Sequence, residues 1–246
     1  MNEFDGSNWS KAGFAQEYRD NADIYVVERA RMRDILKSFY IHFMRNNRRK
    51  RVLDLGCGDG VVAHELLKID GSISATLLDG SQHMLKTAEE RLKKFEKVHF
   101  INASFQDILR KEVLDRDYDF IVSSLAIHHL TMKEKKALFR KIFHHLYPKG
   151  YFVNIDCVLA PTDGLEQWYM SLWREWIDEK KKRVGIEGNY YDDIIRRYKD
   201  NKDNKPDTLG GQLSALKSVG FRDVDCFYKY GPFAIFGGRK PKEMET

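Results

Sequence analysis

The sequence predicts an α/β fold, a mostly parallel sheet with helices on both faces, and three observations carry that expectation. Between residues 51 and 158 short β-branched runs alternate with helical patterns, the rhythm of βαβ units. An apolar strand runs straight into a glycine-rich bend at 52–60 (VLDLGCGDG) and then into a helix. The chain has 246 residues, 42% of them apolar, which is enough for one sizeable core and leaves little for a second.

Ahead of the first strand, apolar residues at helical spacing predict a helix over 22–43, and the basic run at 45–51 (RNNRRKR) reads as a solvated helix end and linker. Strands are expected at 51–55, 74–78, 98–101, 118–123 and 151–158, with helices at 60–69, 82–95, 105–114 and 133–146 between them. The last of these helices ends in LYPKG, where Pro148 forbids continuation and Gly150 permits a turn into the next strand. After the fifth strand the rhythm breaks, and 161–205 reads as an insertion of two helices followed by the polar loop NKDNKP. In its second helix Asp192/Arg196 and Asp193/Arg197 stand at the spacing of exposed ion pairs. A final helix over 208–219 leads to strands at 224–229 and 233–237, joined so closely that they must be antiparallel. The expected organisation is one domain over 1–246, with an N-terminal helical cap (1–50), a cofactor-binding core (51–160), the helical insertion (161–205) and the final helix with its hairpin (206–240).

Charged residues make up 32% of the chain, and no apolar run approaches the roughly 20 residues that span a bilayer, so no membrane role is expected. The first residues, MNEFDGSNWSKAGF, fit neither a secretory signal nor a transit peptide, which leaves a cytoplasmic location as the expectation. The net charge of +5 is a small difference between 42 basic and 37 acidic residues, an unfavourable composition for a dedicated nucleic-acid module. Cys57, Cys157 and Cys226 form no CxxC pair and have no histidine at ligand spacing, so neither a disulfide nor a metal site is expected.

The bend at Gly56, Gly58 and Gly60 lets backbone approach a ligand, and the following helix offers its N-terminus. A nicotinamide enzyme would carry GxGxxG to seat a pyrophosphate, whereas this loop is GxGxG flanked by Asp54 and Asp59, which favour a cofactor bearing positive charge. Asp79, at the end of the second strand, stands where an acid can take both hydroxyls of a ribose.

With VLDLGCGDG at 52–60, LLDGSQHML at 77–85, ASFQDI at 103–108, YDFIVSSLAIHHL at 118–130 and LYPKGYFVNID at 146–156, the chain resembles the class I S-adenosylmethionine-dependent methyltransferases over roughly residues 15–240. The resemblance implies a Rossmann-like fold with a seven-stranded sheet whose last strand is antiparallel, and S-adenosyl-L-methionine as cofactor with S-adenosyl-L-homocysteine as product. It implies further that backbone at Gly56, Cys57 and Gly58 faces the methionine end, that Asp54 supports this loop or the cofactor's ammonium, and that Asp79 holds the ribose. Gly80 and Met84 would lie along the adenine with Ser104 and Phe105 on its other side, core packing being the alternative for Met84 and Phe105. Ser104 replaces an acid common in the family. Ser124 and Leu125 would pass beside the sulfonium, and Tyr18 would close over the cofactor or staple the first helix. His128 and His129 are the candidate catalytic bases, the alternative being a structural hydrogen bond for one and solvation for the other. His144 and His145, in a helix's last turn, are given no chemistry.

The stripe Trp168, Tyr169, Trp173 and Trp176 reads as the buried face of a cap or a homodimer contact before it reads as a substrate box. Segments around 156–162, 172–175 and 224–239 are similar to a branch related to the carboxy-S-adenosylmethionine synthase of tRNA wobble-uridine modification. Arg196, Arg197 or Arg239 would supply the carboxylate clamp such an enzyme needs, with surface pairing the simpler account. Gly210 and Gly211 break the helical preference of the final helix and suggest a close backbone approach. The expected function is methyl transfer to O, N or C of a small-molecule acceptor, mainly by in-line positioning. The alternatives are a carboxy-S-adenosylmethionine synthase linked to tRNA, and a non-catalytic cofactor-binding subunit using an apolar patch at 165–176.

Overall fold

The computed structural model describes residues 3–187 and 193–242. Its centre is a seven-stranded sheet of β1 (Arg51–Leu55), β2 (Ser74–Asp79), β3 (Val98–Asn102), β4 (Tyr118–Ser124), β5 (Leu146–Cys157), β6 (Arg222–Tyr230) and β7 (Phe233–Arg239). The strand order is β3-β2-β1-β4-β5-β7-β6. β1 to β5 run parallel, and β7 lies antiparallel between β5 and β6. The expected Rossmann-like arrangement is therefore present.

Helices α1 (Ala12–Tyr25), α2 (Arg29–Phe43), α3 (Val61–Ile69), α4 (Gln82–Leu92), α5 (Phe105–Arg110), α6 (Met132–His145), α7 (Asp163–Val184), α8 (Ile194–Asp200) and α9 (Leu209–Val219) cover it. β4 is buried along nearly its whole length and β1 beyond its first residue, because both faces of the sheet are covered. One face packs Val52, Phe120, Val122 and Val153 against α2 and α3, and the other packs Leu53, Ile121 and Phe152 against α6 and α9.

The expected helix over 22–43 is two helices. Val26, Val27 and Glu28 separate α1 from α2, with Val26 and Val27 buried and Glu28 at φ +50°, so burial of two β-branched residues wins over helical continuity. α4 and α5 stop short of their expected ends, at Leu92 and Arg110. β5 starts directly at Leu146, so Pro148 and Gly150 do not form a separate turn. They lie inside the strand, where the β4/β5 register shifts between Tyr118 and Phe120.

In the insertion, Asp193 pairs with Arg196 at 2.8 Å and Arg197 reaches Glu17 at 3.2 Å, while Asp192 lies outside the described residues. A Cβ at Gly210 would meet nothing within 4 Å. One at Gly211 would come within 3.1 Å of Thr208 Oγ1 and 3.4 Å of Met132 Cε, so the close approach is confined to the second glycine.

Candidate active site

The order of strands reverses between β1 and β4, and at their carboxyl ends this fold opens a crevice. A cavity of about 180 Å³ lies there. Its floor is the bend after β1. Gly56 has φ +66°, and a Cβ on it would stand 2.5 Å from Ala126 Cβ and 3.1 Å from the Phe105 ring. Only glycine permits both that conformation and that approach.

The N–H groups of Gly56 and Cys57 both donate to the Leu78 carbonyl, Gly60 N–H donates to the Cys57 carbonyl, and Gly58 N–H donates to Asp79 Oδ2 at 2.8 Å. The loop's donors are thus engaged within the protein, while Asp59 and Asp79 line the cavity. That is a poor cradle for a pyrophosphate and a good one for a cation. A Cβ at Gly58 would meet nothing within 4 Å, so the loop backbone is open to a ligand there.

Every residue expected to touch the cofactor lines this cavity except Asp54. Asp54 is buried beneath the loop and its Oδ2 accepts from Ala63 N–H at 3.2 Å, so of its two expected roles the geometry favours loop support. Burial, helped by the charges of Asp79 and Asp59, pushes its carboxyl up to about 7. Burial also raises the Asp79 carboxyl, against the N–H groups of Ser81 and Gly58 that donate to it. The Cys57 thiol is pushed up by burial and so is kept from nucleophilic chemistry.

Ser104 caps α5 in a reciprocal box with Asp107, whose Oδ2 accepts from both the backbone and the hydroxyl of Ser104. Ser104 is therefore engaged in capping the helix. Leu125 adopts φ +53° with its N–H donated to Ile155 O at 2.7 Å, which turns the chain from β4 into the 3-10 turn Ile127–His129.

The two histidines face different spaces. His129 lines the cavity just described, and its Nδ1 donates to the Asp203 carbonyl at 3.1 Å. A carbonyl only accepts, so the proton sits on Nδ1, and Nε2 is left without a hydrogen-bond partner. Burial, then the neighbouring His128, hold this imidazole well below its usual pKa and neutral.

His128 lines a second cavity of about 400 Å³, which meets the first at Trp9, Tyr18 and Leu125. Its Nδ1 lies 2.6 Å from Oδ1 of the fully buried Asp156. The exit of the insertion holds the His129 ring through the Asp203 carbonyl and the His128 backbone through Lys205 N–H, and the buried Lys135 anchors that exit through Asp207 Oδ2 at 2.5 Å. His144 and His145 stand away from both cavities, His145 bonding Glu112 Oε1 at 3.0 Å.

Several site residues carried no sequence signal. Phe4 rests on Gly80, where a Cβ would come within 2.8 Å of its ring, and Trp9 packs tilted against His129, with ring centres 5.5 Å apart. Both sit in a polar opening segment that forms two short 3-10 turns, Glu3–Gly6 and Asn8–Ser10, tied to the insertion by Asn8 N–H donating to Asp203 Oδ2. Arg19, Arg29, Arg33 and Lys205 also line the first cavity. Asp156 had a usable signal, an acid closing an apolar strand, the same mark that singled out Asp79. Of the tryptophan stripe, Trp173 is buried against the second cavity, and Tyr169 and Met170 are buried too, leaving Trp168 (55% exposed) and Leu165 (38%) at the surface.

Among the described residues no group of three or more His, Cys, Asp or Glu is placed to hold a metal ion, and no helix is long and apolar enough to cross a membrane.

A family model described as a methyltransferase domain matches residues 52–150, the segment that carries the glycine bend, Asp79 and the histidines. Over residues 52–150 the chain carries a methyltransferase domain, and its fold is that of the class I methyltransferases. That domain makes it a methyltransferase. This methyltransferase-family chain is 23% identical over 227 residues to a carboxy-S-adenosyl-L-methionine synthase of Nautilia profundicola, covering 89% of this chain and 84% of that one. It is 24% identical over 195 residues to the Helicobacter pylori (strain G27) protein of the same name, covering 79% and 77%. Among solved structures, its fold matches an O-methyltransferase family protein from Burkholderia thailandensis with TM-score 0.67 at 12% identity, covering 97% of this chain and 63% of that one. Human N-acetylserotonin methyltransferase in complex with SAM matches with TM-score 0.62 at 17% identity, covering 95% and 58%. The methyltransferase-family chain thus spans about three-fifths of the length of those two structures.

Proposed function

We propose that this enzyme transfers a methyl group to O, N or C of a small-molecule acceptor, mainly by positioning. The observation that carries the reading is the meeting of two cavities at Trp9, Tyr18 and Leu125, one over the glycine bend and one between the N-terminal segment and the insertion. Spaces walled on both sides by the protein suit two small reactants brought together.

S-adenosylmethionine, when bound, supplies a methyl group on a positively charged sulfur, an electrophile that needs no further activation. On this reading Gly56, Cys57 and Gly58 offer backbone to its methionine end and Asp79 accepts from the ribose hydroxyls. Gly80, Met84, Ser104 and Phe105 enclose the adenine, while Ser124 and Leu125 border the reacting end. Asp54 acts through the loop it supports. Tyr18, on the wall between the cavities, excludes water from the transfer. His129 and His128 are the candidate bases, one opening to each cavity. Incubation with labelled S-adenosylmethionine and a panel of small metabolites tests this. Labelled small product supports it, and label appearing only in bulk tRNA overturns it.

A second reading, carboxy-S-adenosylmethionine synthesis linked to tRNA modification, is favoured by the two synthase relatives and by the cations on the first cavity. The arginines first expected to clamp a carboxylate support it less. Arg196 and Arg239 hold Asp193 and Asp223 near the surface, and Arg197 lies on the second cavity with Glu17. Mass spectrometry of the small molecule released on denaturation separates the two, since recovery of carboxy-S-adenosylmethionine would put synthesis first.

A further inference from the structure

We propose that the second cavity takes a flat, neutral aromatic acceptor bearing one O–H or N–H, and that Nε2 of His128 receives the proton it loses; the proposal rests on the methyl-transfer reading above. Its walls carry Trp9, Phe14, Tyr18, Tyr25, Trp173 and Tyr198, an aromatic density that ordinary core burial does not require around an open space. The rings meet edge to face. Trp9 crosses Phe14 at 88° and Tyr18 at 75°, each at 5.0 Å, and Trp173 crosses Phe233 at 90° and 5.3 Å and Tyr198 at 77° and 5.2 Å. Trp173 is oriented by its indole N–H, which donates to the Tyr25 carbonyl at 2.7 Å. Rings held in this way form a slot that favours a planar, polarisable guest over a saturated one of equal size.

The cavity offers no spare cation. Arg197 is paired with Glu17, and the remaining charged lining residue is Asp200, so an anionic guest gains no cation of its own. The polar group that stands apart is His128. Asp156, fully buried, also accepts from Cys157 N–H at 2.9 Å and from the Asn154 amide at 3.3 Å, and a carboxylate so supplied takes the Nδ1 proton of His128 as a third hydrogen bond. Nε2 is then the lone-pair end of a dyad whose tautomer is set from behind. In the step, the acceptor's oxygen or nitrogen bonds the methyl carbon as that carbon's bond to sulfur breaks. The bonding pair stays on sulfur, giving S-adenosylhomocysteine, and the acceptor's proton goes to Nε2.

Three probes share one skeleton: 2-naphthol, its saturated counterpart decahydro-2-naphthol, and the anion 2-naphthoate. Calorimetric titration into the full chain loaded with S-adenosylhomocysteine is expected to show 2-naphthol binding at least about tenfold more tightly than either of the others. Ile194→Trp, which fills the cavity, and Phe14→Ala, which removes one wall, are each expected to weaken that binding about tenfold or more while S-adenosylhomocysteine affinity stays within about twofold. Two variants guard against one failing to fold. On binding, the naphthol absorption is expected to shift to longer wavelength as its O–H bonds His128, and His128→Asn is expected to bind the probe without that shift.

Equal affinity for the saturated probe, tighter binding of the anion, no naphthol binding, or binding indifferent to both cavity variants overturns the acceptor class. The same spectral shift in His128→Asn overturns the role of His128. Failure to bind S-adenosylhomocysteine at all overturns the methyl-transfer reading beneath, and is read directly in the loading step.

Discussion

The two sides of the site are built from different material. The first cavity, the donor side of the proposed transfer, is mainly backbone and carboxylate: a bend at Gly56–Gly60 whose N–H groups are engaged internally, with Asp79 gripping the loop from the next strand. The second cavity, the proposed acceptor side, is mainly aromatic side chain, drawn from the opening segment, α1, α7, α8 and the hairpin. Recognition carried by backbone constrains φ and close approach, and so it leaves glycines at set positions. Recognition carried by aromatic rings uses the same residue types that fill cores, so it leaves no distinct mark in the chain.

The sharpest break between the two sides comes from Gly56→Ala. At φ +66° an alanine adds roughly 1–2 kcal/mol of strain, and its Cβ would also collide with Ala126 2.5 Å away. S-adenosylhomocysteine affinity measured by calorimetry is expected to fall about 100-fold or more. Asp79→Asn comes next. Loss of charge-assisted hydrogen bonds worth about 1.5–3 kcal/mol predicts a fall of about 10- to 100-fold in cofactor affinity. Both variants should leave the aromatic cavity's occupancy by a probe unchanged, and a parallel loss there would show that the two sides are not independent.

How far each side was legible follows from the same physics. The five parallel strands, the antiparallel hairpin and the residues from Gly56 to Leu125 that line the first cavity were readable, because periodicity and glycine spacing report on backbone. The break between α1 and α2 was not, since Val26 and Val27 fit a helical pattern and are pulled out of it only by tertiary burial. Trp173 was read as the buried face of a cap or a dimer contact; it is buried, yet it also walls a cavity, a distinction that depends on what stands opposite. Phe4 and Trp9 sit among polar residues, and contacts distant in sequence bring them over the site: the Asn8–Asp203 tie, Phe4 on Gly80 and Trp9 against His129. The polar loop at 201–206, read only as a loop, proves to be the brace behind both histidines, through backbone carbonyls and amides that residue identity does not encode.

A gentler probe of the acceptor side is Trp173→Phe. It keeps an aromatic ring and removes the N–H donated to the Tyr25 carbonyl, a change worth about 1 kcal/mol. The expected result is a rise of about fivefold in acceptor KM with kcat and cofactor affinity unchanged. A drop in cofactor affinity instead would place Trp173 in the wall shared by both cavities.

Asp54→Asn has the smallest expected effect on binding, within about threefold, and its signature is in stability against pH. Burial first, then the charges of Asp79 and Asp59, raise the folded carboxyl to about 7 against an unfolded value near ~3.9. The folded state therefore holds this proton more tightly than the unfolded chain. Its stabilising contribution is complete below the unfolded value and is lost as pH rises through about 7. Wild-type Tm without cofactor is expected to decline between about pH 5 and 8. Asn keeps an acceptor for Ala63 N–H and carries no charge, so in the variant the decline should flatten. A cation bound above the loop would favour ionised Asp54 and offset part of the loss. S-adenosylmethionine, with its charged sulfur, should then flatten the wild-type decline more than S-adenosylhomocysteine does, and the difference between the two ligands should shrink in Asp54→Asn. Equal protection by both ligands in the wild type would mean that Asp54 supports the loop without sensing the charge of the donor.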